Sequence, residues 1–184
     1  MPLRRAGRLI RFSLVGNRSP AQRFDEVGRV RRIVWPGDLD ELRHVNNGAY
    51  LTLLDHARLE LMVRSGTWAR LRAARVYPVV TDQTISYRRS LTLGQRYEIE
   101  TRVAGFDDRA VYLEQRFVVA GEVYARAYVR GRFLYEKGGV VPIEEVAELC
   151  GIELAAHPVP DWMREWAARV ALPSTRRPAP SEWD

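Results

Sequence analysis

The sequence predicts an α+β fold in which a curved antiparallel sheet wraps around one long central helix. Three observations carry this. Residues Gly48 to Arg64 form a proline-free run that is apolar nearly all round. From Val79 onward the apolar residues recur with period two, interrupted by turn residues. The order is strand, buried helix, then four antiparallel strands.

The helix comes first. Tyr50, Leu54, Ala57 and Leu61 fall on one stripe at i, i+4, i+7 and i+11. Leu51, Leu59, Met62 and Val63 cover most of the remaining circumference. A helix apolar on nearly every side is buried on nearly every side. Asp55, His56, Arg58 and Glu60 interrupt it, so it does not read as a membrane span. One sheet covers only part of such a helix, so a second copy of the chain is expected against it.

The strands follow from alternation. Val30 to Trp35 reads as a first strand, stopped by Pro36-Gly37. Ser65-Gly66 ends the helix, and Thr67 to Arg75 reads as a short helix or turn. Val79, Thr81, Gln83, Ile85 and Tyr87 alternate with polar neighbours, then Leu93-Gly94-Gln95 turns. Tyr97, Ile99, Thr101 and Val103 mark the next strand, broken at Asp107-Asp108. Val111, Leu113, Gln115, Phe117 and Val119 share one face of the strand after it. Past the Gly121-Glu122 turn, a last strand runs from Val123 to about Tyr135, with Arg126, Arg130 and Arg132 opposite its small apolar residues. Three long strands joined by short turns make a meander. Pro142 opens a helix over Ile143 to Cys150, and Asp161 caps another to Val170. The expected layout is a basic N-terminal arm over 1–28, the main domain over 29–151, a helical extension over 152–172 and a disordered tail over 173–184.

Bulk composition narrows the function classes. A chain of 184 residues with 46% apolar content fits one domain with tails. Cys150 is the single cysteine, which excludes an internal disulfide and suits a reducing, cytoplasmic setting. The net charge of +6 comes almost entirely from arginine. It favours an anionic ligand or an acidic surface. The arginines alternate along strands and form no patch with interleaved aromatics, which argues against nucleic acid. In the arm, Arg4, Arg5, Arg8 and Arg11 interrupt every apolar run, so neither a signal peptide nor a membrane span is expected. Peripheral membrane contact by this arm is a second reading of it.

Chemistry concentrates between Asp38 and Arg58. Asp38, Asp40 and His44 lie in a polar loop, and Asn46 or Asn47 caps the helix after it. The first N–H groups of a helix are unpaired and electropositive, suited to an anion or a polarised carbonyl oxygen. A carboxylate beside that pole suits attack on a carbonyl. Asp55 and Arg58, at i and i+3, read as an intrahelical pair. His56 and His157 read as structural or exposed.

The run Asp38-Leu39-Asp40, His44-Val45-Asn46-Asn47, Tyr50 and Asp55-His56-Ala57-Arg58 resembles the hotdog-fold acyl thioesterases. These include the 4-hydroxybenzoyl-CoA thioesterase type and the plant acyl-carrier-protein thioesterases. The resemblance is strongest to the thioesterase superfamily member 6 group, where it extends to Gly105 through Glu114, and it covers roughly residues 30–151. It implies a hotdog fold and a homodimer or homotetramer with sites at the subunit interface. It also implies cleavage of an acyl-CoA or acyl-carrier-protein thioester without metal or cofactor, coenzyme A being part of the substrate. By position Asp40 is the catalytic carboxylate, the N–H of Asn47 polarises the thioester carbonyl, and His44 assists. Asn46, Tyr50 and Asp55 are the candidate substrate-binding residues. Two departures stand out. Leu42 occupies the position of an asparagine in the plant enzymes, so their triad is not carried over whole. Arg43 stands where many relatives have glycine, and a positive φ there would strain an arginine. These departures motivate an alternative, a non-catalytic acyl-CoA or lipid-binding hotdog protein. A hydratase, the third reading, fits the neighbouring residues less well.

Overall fold

The computed structural model describes residues 21–174 and 176–182. Residues 1–20 of the expected N-terminal arm, with Arg4 to Arg11 and the membrane contact that is its second reading, lie outside the described residues. Strand β1 (Gly28–Ile33) leads through a 3-10 turn, Pro36–Asp38, to helix α1 (Asn47–Arg64) and the short α2 (Thr67–Ala73). Strands β2 (Val76–Tyr87), β3 (Arg96–Phe106), β4 (Val111–Val119) and β5 (Glu122–Tyr135) follow. Helices α3 (Ile143–Cys150) and α4 (Asp161–Val170) close the chain. The strands form one antiparallel sheet in the order β1-β3-β4-β5-β2. With α1 held against its inner face, this is the hotdog arrangement.

The two sequence periods meet in the core. Tyr50, Leu54 and Ala57 of α1 pack with Val30, Ile99, Phe117, Ala125 and Ala127 from four strands. Further along α1, Leu61 and Met62 join Leu113, Val129 and Phe133 beneath α3. The outer face carries cross-strand pairs such as Arg31 with Glu98 and Arg102 with Glu114. Burial of α1 is less complete than its composition suggests. Thr52 and Asp55 are exposed, and Leu51, Leu53, Leu59 and Val63 are only partly covered. A single curved sheet shields one side of a cylinder, and the remaining flank stays open in one chain.

Strand β2 departs from its expected form in two ways. It begins at Val76, and its register shifts between Val80 and Asp82. Before the shift Val79 pairs with Arg132 of the outer face; after it Gln83 pairs with Val129 and Ile85 with Ala127, both inner. The bulge therefore splits the single face expected for Val79 through Tyr87. Nor does Leu93-Gly94-Gln95 close a hairpin. Both edges of β3 are taken, by β1 and β4, so β2 joins the far edge beside β5. Residues 88–95 then cross the end of the sheet.

The C-terminal extension lies on the outer face. Met163 and Ala167 of α4 pack on Ala110, Tyr112 and Val159. Asp161 is not the cap. Pro160 holds the N-cap position without a side-chain bond, and Asp161 sits in the first turn, where its charge complements the helix dipole. No helix among the described residues is long and apolar enough to cross a membrane.

Candidate functional site

The loop between β1 and α1 is a tight, self-bonded turn. Leu39 and Val45 form an antiparallel bridge. Inside it, the Asp40 N–H donates to the His44 carbonyl at 2.8 Å, and the Arg43 N–H to the Asp40 carbonyl at 3.1 Å. The Asp40 side chain completes the turn. Its Oδ1 accepts from the N–H groups of Leu42 at 2.9 Å and His44 at 3.1 Å. Aspartate supports such turns because its short side chain reaches the backbone two residues on. Oδ2 of Asp40 has no hydrogen-bond partner among the described residues. The turn requires φ of 62° at Arg43, as the glycine of the family pattern implies.

The loop is fastened to the helix start and to the crossing segment. The Asn46 N–H donates to the Asp38 carbonyl at 2.8 Å, and the Val45 N–H to the Leu91 carbonyl at 3.0 Å. His44 bridges Thr92. Of the two asparagines, Asn46 is the N-cap, its Oδ1 accepting from the Gly48 N–H at 2.8 Å. A Cβ at Gly48 would stand 3.2 Å from that oxygen, so glycine keeps the cap uncrowded. Asn47 is the first helical residue, and its N–H makes no hydrogen bond to any described residue. The first turn holds no acidic side chain. The positive end of α1 is therefore unneutralised there, beside the loop that carries Asp40.

The other expected site residues separate into groups. His44 is exposed, and its imidazole makes no hydrogen bond to a described residue; only its backbone serves the turn. Tyr50 is buried at 2% exposure, and its hydroxyl oxygen accepts from the Leu91 N–H at 3.1 Å. Its ring meets Phe117 and Tyr87 edge-on. Asp55 lies eight residues beyond Asn47, about 12 Å along the axis, with its side chain 71% exposed. It pairs with Arg58 Nη2 at 3.1 Å, as the i, i+3 spacing suggested.

Arg58 has a larger role than that pair. It is buried at 8% exposure, and Nη1 donates to Gln115 Oε1 at 2.6 Å. Gln115 Nε2 donates in turn to the Leu54 carbonyl at 3.1 Å and to Thr101 Oγ1 at 2.9 Å. Burial pulls the Arg58 guanidinium down from its usual value, opposed by Asp55. This chain of bonds pins α1 to β3 and β4 through the middle of an apolar core. Alternation had already placed Gln115 on the inner face, but its arginine partner sits 57 positions away and left no local trace. Among the described residues, no group of three or more His, Cys, Asp or Glu side chains is placed to hold a metal ion.

The hotdog fold and the comparisons with known proteins together give the class of protein. The chain belongs to the thioesterase-like superfamily, whose profile matches residues 34–167. Within it, the chain is 36% identical over 134 residues to Protein THEM6 of Xenopus laevis, covering 73% of this chain and 64% of that protein. It is 33% identical over 147 residues to Protein THEM6 of Danio rerio, covering 80% of this chain and 72% of that one. The chain thus spans roughly two thirds of the length of these relatives. Among solved structures, the YbaW probable thioesterase from Escherichia coli aligns with a TM-score of 0.62 at 25% identity, covering 66% of this chain and 94% of that one.

Proposed function

We propose that this protein is an acyl-CoA thioesterase. The observation that carries the reading is the state of Asp40. One carboxylate oxygen is immobilised by two backbone N–H groups, the other has no described partner, and the loop is tied to a helix start whose first N–H is open. A thioester carbonyl accepting from the Asn47 N–H would be polarised by the helix end. Oδ2 of Asp40 would take a proton from water as hydroxide attacks, or would itself attack to give an anhydride that water opens. The tetrahedral oxyanion would gain about 3 kcal/mol from a well-placed donor. Collapse expels the coenzyme A thiolate, which takes up the proton and leaves the free acid. The substrate itself supplies this leaving group, and the route uses neither metal nor cofactor. His44, exposed on the same turn and without a bond to Asp40 from its ring, would meet substrate and not orient Asp40.

The same reading extends to assembly and location. Among the described residues strand β2 pairs only with β5, leaving the other edge of its twelve residues without a strand partner there. An open edge of that length next to the uncovered flank of α1 suits a second copy of the chain. Asp55 is then available to a substrate held by the partner copy, since it lies far from its own Asn47. The lone buried Cys150 suits a reducing cytoplasm. The five arginines of residues 1–20, with no acidic residue among them, suit contact with an anionic membrane.

Thiol release from short, long and aromatic acyl-CoAs tests the proposal, with wild type and Asp40→Ala side by side. Loss of a general base lowers turnover by about 10²–10⁴-fold. Equal turnover in both proteins would remove Asp40 from the mechanism. Acyl-CoA binding without turnover by wild type would leave the lipid-binding alternative.

A further inference from the structure

We propose that Tyr87 is the wall of the acyl site and sets which acyl groups the protein accepts. This rests on the thioesterase reading and names a residue outside the loop and helix that carry it. Tyr87 ends β2 and pairs with Ala125, a core residue, so its side chain lies on the inner face of the sheet. Yet it is 44% exposed. Its ring meets the Tyr50 ring at 5.1 Å between centroids and 69° between planes.

Tyr50 connects Tyr87 to the reacting end of the helix. It lies three residues after Asn47, on the same helix face. It cannot swing away, because its hydroxyl is bonded to the Leu91 N–H and its ring is wedged on Phe117 at 4.8 Å. Tyr50 therefore joins the helix turn that begins at Asn47 to the half-exposed Tyr87 ring, and a carbonyl held at the Asn47 N–H would have Tyr50 as floor and Tyr87 beyond it. The Tyr87 hydroxyl bonds to no described residue. Ile85, also on the inner face and partly buried, continues the apolar strip along β2. Such a strip receives a hydrocarbon or an aromatic ring. The polar pantetheine and nucleotide would gain nothing there and would run to solvent.

The experiment compares kcat/KM for short and long straight-chain acyl-CoAs in wild type, Tyr87→Ala, Tyr87→Phe and Tyr87→Trp, with Asp40→Ala as the inactive control. A difference of one methylene against a shaped pocket changes specificity by about 10-fold or more. Removing the ring should raise the long-to-short ratio by about 10-fold, and Tyr87→Trp should lower it. Tyr87→Phe should keep the wild-type ratio, since shape is what counts. A side chain serving stability alone would depress all substrates together and would not give opposite shifts for smaller and larger replacements. An active wild type whose ratio is unchanged in both Ala and Trp variants overturns the role of Tyr87 and leaves the thioesterase reading intact. A wild type inactive on every substrate overturns the thioesterase reading, and this assignment with it.

Discussion

Gly105→Ala should loosen the C-terminal extension from the sheet. Gly105 lies near the end of β3 at φ 151°, a conformation that residues with a Cβ rarely adopt. A Cβ built there would stand 2.4 Å from the Val159 Cα, 2.6 Å from its nitrogen and 2.8 Å from the Pro158 carbonyl carbon. All three are backbone atoms, so no side-chain rotation relieves the overlap. Ordinary contact begins near 3.4 Å, so residues 158–159 must retreat by about 1 Å. That retreat pulls on the bond from the Phe106 N–H to the His157 carbonyl, now 3.0 Å, and lifts Met163 and Ala167 from Tyr112. Overpacking of a tight site costs about 1–3 kcal/mol, and the backbone conformation adds about 1 kcal/mol. A total of about 3 kcal/mol lowers Tm by roughly 6–12 °C for a chain of this size. Thermal unfolding by circular dichroism gives the shift. Limited proteolysis then shows whether cleavage appears first within residues 152–170. A Tm within 2 °C of wild type, with the extension still protected, would refute the reasoning that the glycine is required by this close approach.

Two further outcomes follow from single residues. Arg43→Gly should stabilise the protein by about 0.5–1 kcal/mol, measured by urea denaturation. It removes about 1–2 kcal/mol of left-handed strain at φ 62° against the flexibility glycine adds to the unfolded chain, about 0.5–1 kcal/mol. The hydrogen bond from Arg23 holds the Asp25 carboxyl down at about 2, below the ordinary value of about 4. A depressed folded value contributes stability that is complete above about pH 4 and is lost as the pH falls through 2. Asp25→Asn should therefore be less stable than wild type at pH 7, with the difference closing near pH 2.

How much could be read in advance depended on how local the cause was. The central helix was legible because Tyr50, Leu54, Ala57 and Leu61 repeat at helical spacing, and each is buried. The meander β3-β4-β5 was legible because its turns are short and its apolar residues alternate. The helix start was legible too, since asparagine favours the cap position, and of the two asparagines Asn46 takes it. The bulge in β2 was not, because Val80 and Thr81 suit either face of a strand. The bond between the Tyr50 hydroxyl and the Leu91 N–H was not legible either, because the two residues lie 41 positions apart.

Local chemistry alone accounts for the helix, the alternating strands, the capped helix start and the carboxylate turn before it. These arise within a few residues, where spacing and side-chain reach are enough. Packing settles the rest. It sent β2 to the far edge of the sheet because both sides of β3 were occupied. It threaded Arg58, Gln115 and Thr101 into one buried chain of bonds. It set Tyr87 against Tyr50, and it laid the C-terminal helix over Tyr112. Each of these joins residues dozens of positions apart, and such contacts exist only once the whole sheet has closed around its helix.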